Sequence, residues 1–232
     1  PVVPQFEKPV GAKKSRIDPI PTWSTNLVQL NLSRQGLLLQ LMEVKTETNY
    51  RILDVLRDRW SPKAFAPGHE IPEGDIYRLF EAARWAPSSF NEQPWRFIAA
   101  QRANQESFDR ILRCLSEKNQ MWAQNCSLLV LTLAKLRFDR TGKVNRHAWY
   151  DLGASAFALT MQATKLGLLV HQMAGFSPEK AREEFDISDE FEPASVMAIG
   201  YLGKKDDLPD DVKPRDRNAR HRLDLDDILT VL

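Results

Sequence analysis

The apolar positions change period several times along the chain, and each change predicts an element. Leu27, Leu30, Leu37, Leu38 and Leu41 recur near helical spacing over 26–44, with Gly36 as a weak point. An arm over 1–45 that ends in an amphipathic helix must bury this stripe, on a partner subunit or on its own domain. A second helix is expected over 50–59, with Ile52, Val55 and Leu56 on one face and Arg51, Asp54, Arg57 and Asp58 toward water. Over 73–85 the inward positions are Ile76, Leu79, Phe80 and Ala83. Residues 95–100 read as a strand and 104–115 as a helix, and 119–123 as a turn with a short helix. The near-continuous apolar run 127–134, SLLVLTLA, is a buried central strand. Residues 138–144 are a polar surface loop, 168–171 a short extended piece and 195–201 the last core strand. The stretch 203–211 is a charged loop.

The helix expected over 147–166 differs from the others. Leu152, Ala156, Leu159, Ala163 and Leu166 step by four and three, while Gly153, Ala154, Ser155 and Ala158 are small on other faces. A helix that is apolar or small nearly all round is buried on most sides, and small residues let another helix come close. Either the domain wraps it or two copies meet across it. Gly167 suits a left-handed cap. Ser177 and Pro178 start a further helix, as cap and first residue.

The stretch 82–97, AARWAPSSFNEQPWRF, organises the rest. A helix cannot run through Pro87, and each proline pushes the residue before it toward extended geometry. Ser88, Ser89, Asn91 and Gln93 therefore sit on a stiff loop between a helix and a strand. Hydroxyls and amides crowded there suit a polar ligand with many acceptors, or equally a turn that bonds its own backbone.

Composition narrows the classes of function. Lys and Arg total 32 against 31 Asp and Glu, for a net charge of +1, which argues against a large polyanion-binding face and so against nucleic acid. No apolar run approaches the ~20 residues of a membrane span, and the N-terminus lacks a signal-peptide layout. Cys114 and Cys126 lie beside apolar residues without CxxC spacing, so buried thiols in a reducing compartment, the cytoplasm, are expected rather than a disulfide or zinc site.

Candidate chemistry lies in short turns. Arg59-Trp60-Ser61-Pro62-Lys63 places two cations and a hydroxyl within one turn, which suits a phosphate or a solvated helix end. Gly175 after Ala174 lets a flat ligand approach backbone N–H groups, or simply makes the turn. Arg215, Arg217, Arg220 and Arg222 form a basic cluster before an acidic, apolar tail. His147 and Asp151 stand at i, i+4 and are expected to pair on a helix surface; no further ligands suggest a metal. GxGxxG, GxxxxGK[ST] and GxSxG are all absent from the sequence, which removes the usual nucleotide and serine-hydrolase motifs.

Taken in order, these motifs resemble those of the nitroreductase family, FMN-dependent oxidoreductases that use NAD(P)H. Arg59, Ser61, Lys63 and Phe65 match an R-x-S-x-[RK]-x-F turn, and Pro87 through Trp95 match the APSSxNxQPW loop. Asn119, Gln120, Trp122 and Ala123 match N-Q-x-W-A. Asp151, Gly153 and Ser155 match D-x-G-x-A with serine for alanine, ahead of Gly167-Leu168. His171, Met173, Gly175 and Phe176 match H-x-M-x-G-F, and Ala198 to Tyr201 match A-I-G-Y. The resemblance implies an α+β fold, a three-layer α/β/α domain over 46–232 with a central mixed, mainly antiparallel sheet, in an intertwined homodimer. It implies FMN at the dimer interface. Arg59, Trp60, Ser61 and Lys63 would hold phosphate and ribityl, and Pro87, Ser88, Ser89 and Asn91 would reach the flavin from the other subunit. Met173, Ala174 and Gly175 would face the reactive edge of the ring, with a backbone N–H toward N5. Arg220 and Arg222 best fit the family's C-terminal basic pair, with Arg215 and Arg217 as alternatives. Some family members carry glutamate where Ala174 stands, which changes the lining of the ring. The implied activity is two-electron ping-pong transfer from NAD(P)H to small-molecule acceptors, nitroaromatics or quinones, with no catalytic side chain and no metal. The alternatives are related flavin chemistry, reductive dehalogenation or flavin fragmentation, and a non-catalytic flavin-binding dimer.

Overall fold

In the computed structural model, residues 48–213 and 220–232 are described. The arm, its amphipathic helix over 26–44, the domain boundary near 45, and Arg215 and Arg217 lie outside the described residues. Four strands form the sheet: β1 (Trp95–Gln101), β2 (Leu128–Lys135), β3 (Leu169–Met173) and β4 (Phe191–Gly200), in the order β1-β2-β4-β3. The helices are α1 (Asp54–Asp58), α2 (Glu73–Arg84), α3 (Gln105–Cys114), α4 (Glu117–Ala123), α5 (Ala148–Lys165), α6 (Pro178–Phe185) and α7 (Leu225–Ile228).

The α+β class and the three layers are as expected, and alternation along β2 explains the layering. Leu129, Leu131 and Leu133 point to one side, where they join Phe108 and Ile111 of α3, Trp122 of α4 and Ala181 of α6. Leu128 and Val130 point to the other, against Leu79 and Ala83 of α2 and Ala156, Leu159 and Ala163 of α5. A strand buried on both faces has no room for polar alternation, which is why SLLVLTLA reads as one apolar run. Among the described residues every strand pair is antiparallel, the main part of the expected mixed, mainly antiparallel sheet.

β4 begins at Phe191, four residues before the expected start at Ser195. Pro193 lies within it, which a central strand normally forbids. The register with β2 shifts between Thr132 and Leu133, and β3 pairs only from Val196 onward, so the ladder asks little of the missing N–H. The helix expected over 50–59 shortens to α1, with Ile52 and Leu53 exposed and no residue of α1 buried. Ser177 caps α6 by accepting from the Lys180 N–H, and Gly167 has φ 76°, both as expected. α5 is buried along Ala148, Asp151, Leu152, Ser155, Ala156, Leu159, Thr160 and Ala163 only; Tyr150 is 79% exposed and Phe157 48%.

Residues 64–66 pair with 201–203 beyond the end of β4. The Ala66 N–H donates to the Tyr201 carbonyl and the Gly203 N–H to the Ala64 carbonyl, each at 2.9 Å. This fixes the Arg59–Lys63 turn against the sheet, and it depends on Gly203. A Cβ there would lie 2.4 Å from the Phe65 carbonyl. A charged loop was expected at this point, and the constraint was not visible in it.

Candidate active site

The basic turn is built by two distant segments. Arg59 follows α1, is half-buried, and donates from Nη1 to Ser61 Oγ at 3.3 Å. From 161 residues further on, Arg220 donates to the Arg59 carbonyl through Nη1 and to the Arg57 carbonyl through Nη2. Burial, and then the charge of Arg222, draws Arg59 below the ordinary arginine value. Burial lowers Arg220 too, followed by Arg59 and Arg222, with Asp58 opposing. Guanidinium stays protonated in proteins, so these shifts register burial first and then the charge of neighbouring arginines, which Asp58 only partly relieves at Arg220. The indole N–H of Trp60, the residue after Arg59, is buried and has no acceptor among the described residues. A phosphate meets such a set well, because it supplies negative charge and several acceptor oxygens at once. Arg220 and Arg222 thus join Arg59 and Ser61, while Lys63 stands half-buried in the same turn.

A second convergence holds this turn in place. His171 Nδ1 lies 2.9 Å from the Pro62 carbonyl oxygen, between Ser61 and Lys63 in sequence. The Trp122 ring tilts onto His171 at 4.6 Å and stacks with Phe65 at 6.1 Å. Three motifs more than 100 residues apart at their extremes thereby share one cluster. His171 was not among the expected site residues, although the H-x-M-x-G-F segment contains it.

The proline-bounded loop is strained. Phe90, Asn91 and Gln93 have φ of 54°, 56° and 51° without being glycine, at a cost of roughly 1–3 kcal/mol each. Such geometry persists only when neighbours enforce it. The Gln93 N–H donates to Ser88 Oγ at 3.0 Å, and Gln93 Nε2 to the Asn91 carbonyl at 3.0 Å. The third hold is Asp151 Oδ2, which accepts from the Ser89 N–H at 3.0 Å. This corrects the expected surface pair: Asp151 is 3% exposed and serves the loop instead of His147. The Ser89 N–H thus anchors the loop that carries Pro87, Ser88 and Asn91 on the first turn of α5.

Met173 is buried at the end of β3, and Ala174 and Gly175 are exposed. The Gly175 carbonyl accepts from the Ser116 N–H at 2.9 Å and from Asn119 Nδ2 at 3.0 Å. A Cβ on Gly175 would come within 2.7 Å of Asn119 Nδ2. Glycine here therefore makes room for Asn119, a reason the sequence did not disclose. An open cleft elsewhere, lined by Glu70, Ile71, Glu73, Gln101 and Asn104, shares none of these residues, and its two carboxylates disfavour an anion. Among the described residues no group of histidine, cysteine and carboxylate side chains could hold a metal, and no helix is long and apolar enough to cross a membrane.

The chain belongs to the nitroreductase family of oxidoreductases, whose model matches residues 56–201. Its similarity to individual proteins extends this. A crystal structure of an oxidoreductase containing FMN superposes with a TM-score of 0.76 at 34% identity, covering 81% of this chain and 95% of that one. An uncharacterized 15.4 kDa protein in the ask 5′ region of Mycolicibacterium smegmatis is 32% identical over 139 residues, 57% of this chain and 92% of its own length. The major NAD(P)H-flavin oxidoreductase of Aliivibrio fischeri is 32% identical over 91 residues, so the chain spans 41% of that relative and the match 38% of this chain. A nitroreductase family protein of Clostridium difficile 630 shares the fold, with a TM-score of 0.60 at 22% identity over 78% of this chain and 98% of that one.

Proposed function

We propose that this protein is an FMN-dependent oxidoreductase that passes two electrons from NAD(P)H to small oxidised acceptors in a ping-pong cycle. The observation that carries the reading is the convergence of Arg59, Arg220 and Arg222 on one turn, where burial and mutual charge lower the first two. Those residues, with Ser61 and Lys63, hold the phosphate and ribityl, and Trp60 offers its buried indole N–H beside them. Met173, Ala174 and Gly175 line the ring; the Gly175 N–H makes no hydrogen bond to another described residue and is available there. Bound FMN supplies the hydride acceptor and the two-electron donor, chemistry that belongs to the cofactor. The chain's own residues bind, orient and shape access, so no side chain serves as general acid or base. The similarity to an FMN-containing oxidoreductase supports this cofactor.

The site is completed by a second copy. Pro87, Ser88, Ser89 and Asn91 contact the flavin of the partner, as the family's motif implies. The exposed face of α5, with Trp149, Tyr150, Gly153 and Phe157, forms part of the contact, as a contiguous apolar patch on a surface marks an interaction site. The hairpin after β2 is short, closed by the Arg137–Val144 bridge. It leaves the acceptor side open, which favours varied nitroaromatic and quinone acceptors over reductive dehalogenation or flavin fragmentation. The test is to purify the protein and follow its yellow colour under anaerobic NADH or NADPH. Bleaching, and recovery on adding a quinone, is expected. A colourless protein that ignores added FMN overturns the proposal; a coloured one that neither nucleotide bleaches leaves only a flavin-binding dimer.

A further inference from the structure

The hairpin between β2 and α5 carries more charge than a connecting loop needs. It is closed by the Phe138 N–H to Lys143 carbonyl bond at 2.9 Å and by Arg137 Nη1 to the Gly142 carbonyl at 3.0 Å. Over 137–146 the chain places Arg137, Arg140, Lys143 and Arg146 against one carboxylate, Asp139, and Lys135 takes that carboxylate. Arg140, Lys143 and Arg146 are exposed, and among the described residues they form no ion pair. Nothing among the described contacts of the fold uses these three cations.

The hairpin is also tied to the strained loop. The Asp139 N–H donates to Glu92 Oε1, and the Phe138 ring meets Phe90 edge-on at 5.9 Å. Phe90 is 86% exposed and stands between Ser89 and Asn91, residues the proposed function puts against the flavin. A chain advances at most ~3.6 Å per residue, so Arg140, two residues from Phe138, stays close to this contact. The cationic hairpin therefore borders the open side on which substrates arrive.

We propose that this hairpin recognises the 2′-phosphate of NADPH and so makes NADPH the preferred donor; the inference rests on the function proposed above. NADPH and NADH differ only in that phosphomonoester, which carries a charge of about −1.5 to −2 near neutral pH. Arginine meets its oxygens as a planar fork and lysine as a point charge. Because the groups are exposed and screened by salt, the expected discrimination is about tenfold.

Two measurements test it. The first is the ratio of kcat/KM for NADPH to that for NADH, in the holoprotein and in the variant Arg140→Gln/Lys143→Gln/Arg146→Gln, with Lys165→Gln/Lys180→Gln/Lys204→Gln as a control matched in net charge. The second is calorimetric binding of 2′,5′-ADP against 5′-AMP to the same proteins, which needs no turnover. The ratio is expected to favour NADPH about tenfold at low salt and to fall toward unity in the triple variant through KM, with the control unchanged. 2′,5′-ADP is expected to bind more tightly than 5′-AMP, and the variant to lose that advantage. A wild-type ratio near unity, a ratio the triple variant leaves unaltered, or a variant that weakens only anionic acceptors overturns the inference. If neither nucleotide bleaches the flavin, it is the proposed function that fails, and the 2′,5′-ADP comparison still decides the phosphate site.

Discussion

Removing the Asp151 carboxylate should loosen the loop 62 residues away, by an amount the geometry sets. Asp151 Oδ2 is the acceptor of the Ser89 N–H, at 3.0 Å. Losing a hydrogen bond to a charged group costs about 1.5–3 kcal/mol, and a neutral one about half that. Ser89 is only half-buried, so water can partly rescue its N–H, and removing a buried carboxylate relieves some desolvation. Both corrections point to the lower end, about 1.5 kcal/mol for Asp151→Ala. Asp151→Asn keeps an acceptor oxygen in place and should cost about half as much. Urea unfolding at one fixed protomer concentration reads the difference, because the stability of the proposed dimer would depend on concentration. Amide exchange at Ser89 reads its location. Three left-handed residues follow Ser89 within the loop, so exchange should quicken there before it does in β2. Equal destabilisation by Ala and Asn, or unchanged exchange at Ser89, would refute the claim that this carboxylate holds the loop.

The other expectations follow from single contacts. Arg59→Ala should weaken FMN binding by about 2–3 kcal/mol, the scale of a charge-assisted bond lost from a half-buried site; retained affinity in a fluorescence titration would count against the phosphate assignment. Gly203→Ala drives a Cβ into the Phe65 carbonyl, and such overpacking should cost about 3 kcal/mol or abolish soluble expression, as thermal melts would show. Gly153 has open space around a would-be Cβ, so Gly153→Arg should leave the protomer folded yet yield monomers in analytical ultracentrifugation; a variant that remains dimeric moves the interface off α5. Burial raises the Cys114 thiol to about 11 and the Cys126 thiol to about 12. Folded values above the ordinary ones add stability that is complete below pH ~9 and disappears as pH rises through the folded values. Unfolding midpoints should therefore fall between pH 9 and 11 more steeply than in Cys114→Ala/Cys126→Ala, and a thiol reagent at pH 8 should label neither cysteine before unfolding.

What was legible in the chain follows from range. β2 and α5 were readable because their burial repeats within the element itself, and Ser177-Pro178 because a cap is a local bond. The Ser89–Asp151 contact was not readable: a carboxylate at i+4 from a histidine looks like a surface pair until the loop from elsewhere arrives on it. The hold of Arg220 on the Arg59 carbonyl, 161 residues away, was likewise not readable. The failure at 50–59 is different in kind. Ile52, Val55 and Leu56 do have helical spacing, yet the helix is cut to α1 and Ile52 and Leu53 stay in solvent. The same holds for Tyr150 and Phe157 on α5 and for Leu223, Ile228 and Leu229 around α7. Each is a segment whose apolar pattern the described residues leave partly uncovered. A single chain would be expected to scatter such exposed residues singly. Their concentration on three elements is what the proposed second copy would explain, by covering the apolar faces and bringing the proline-bounded loop to the arginine turn.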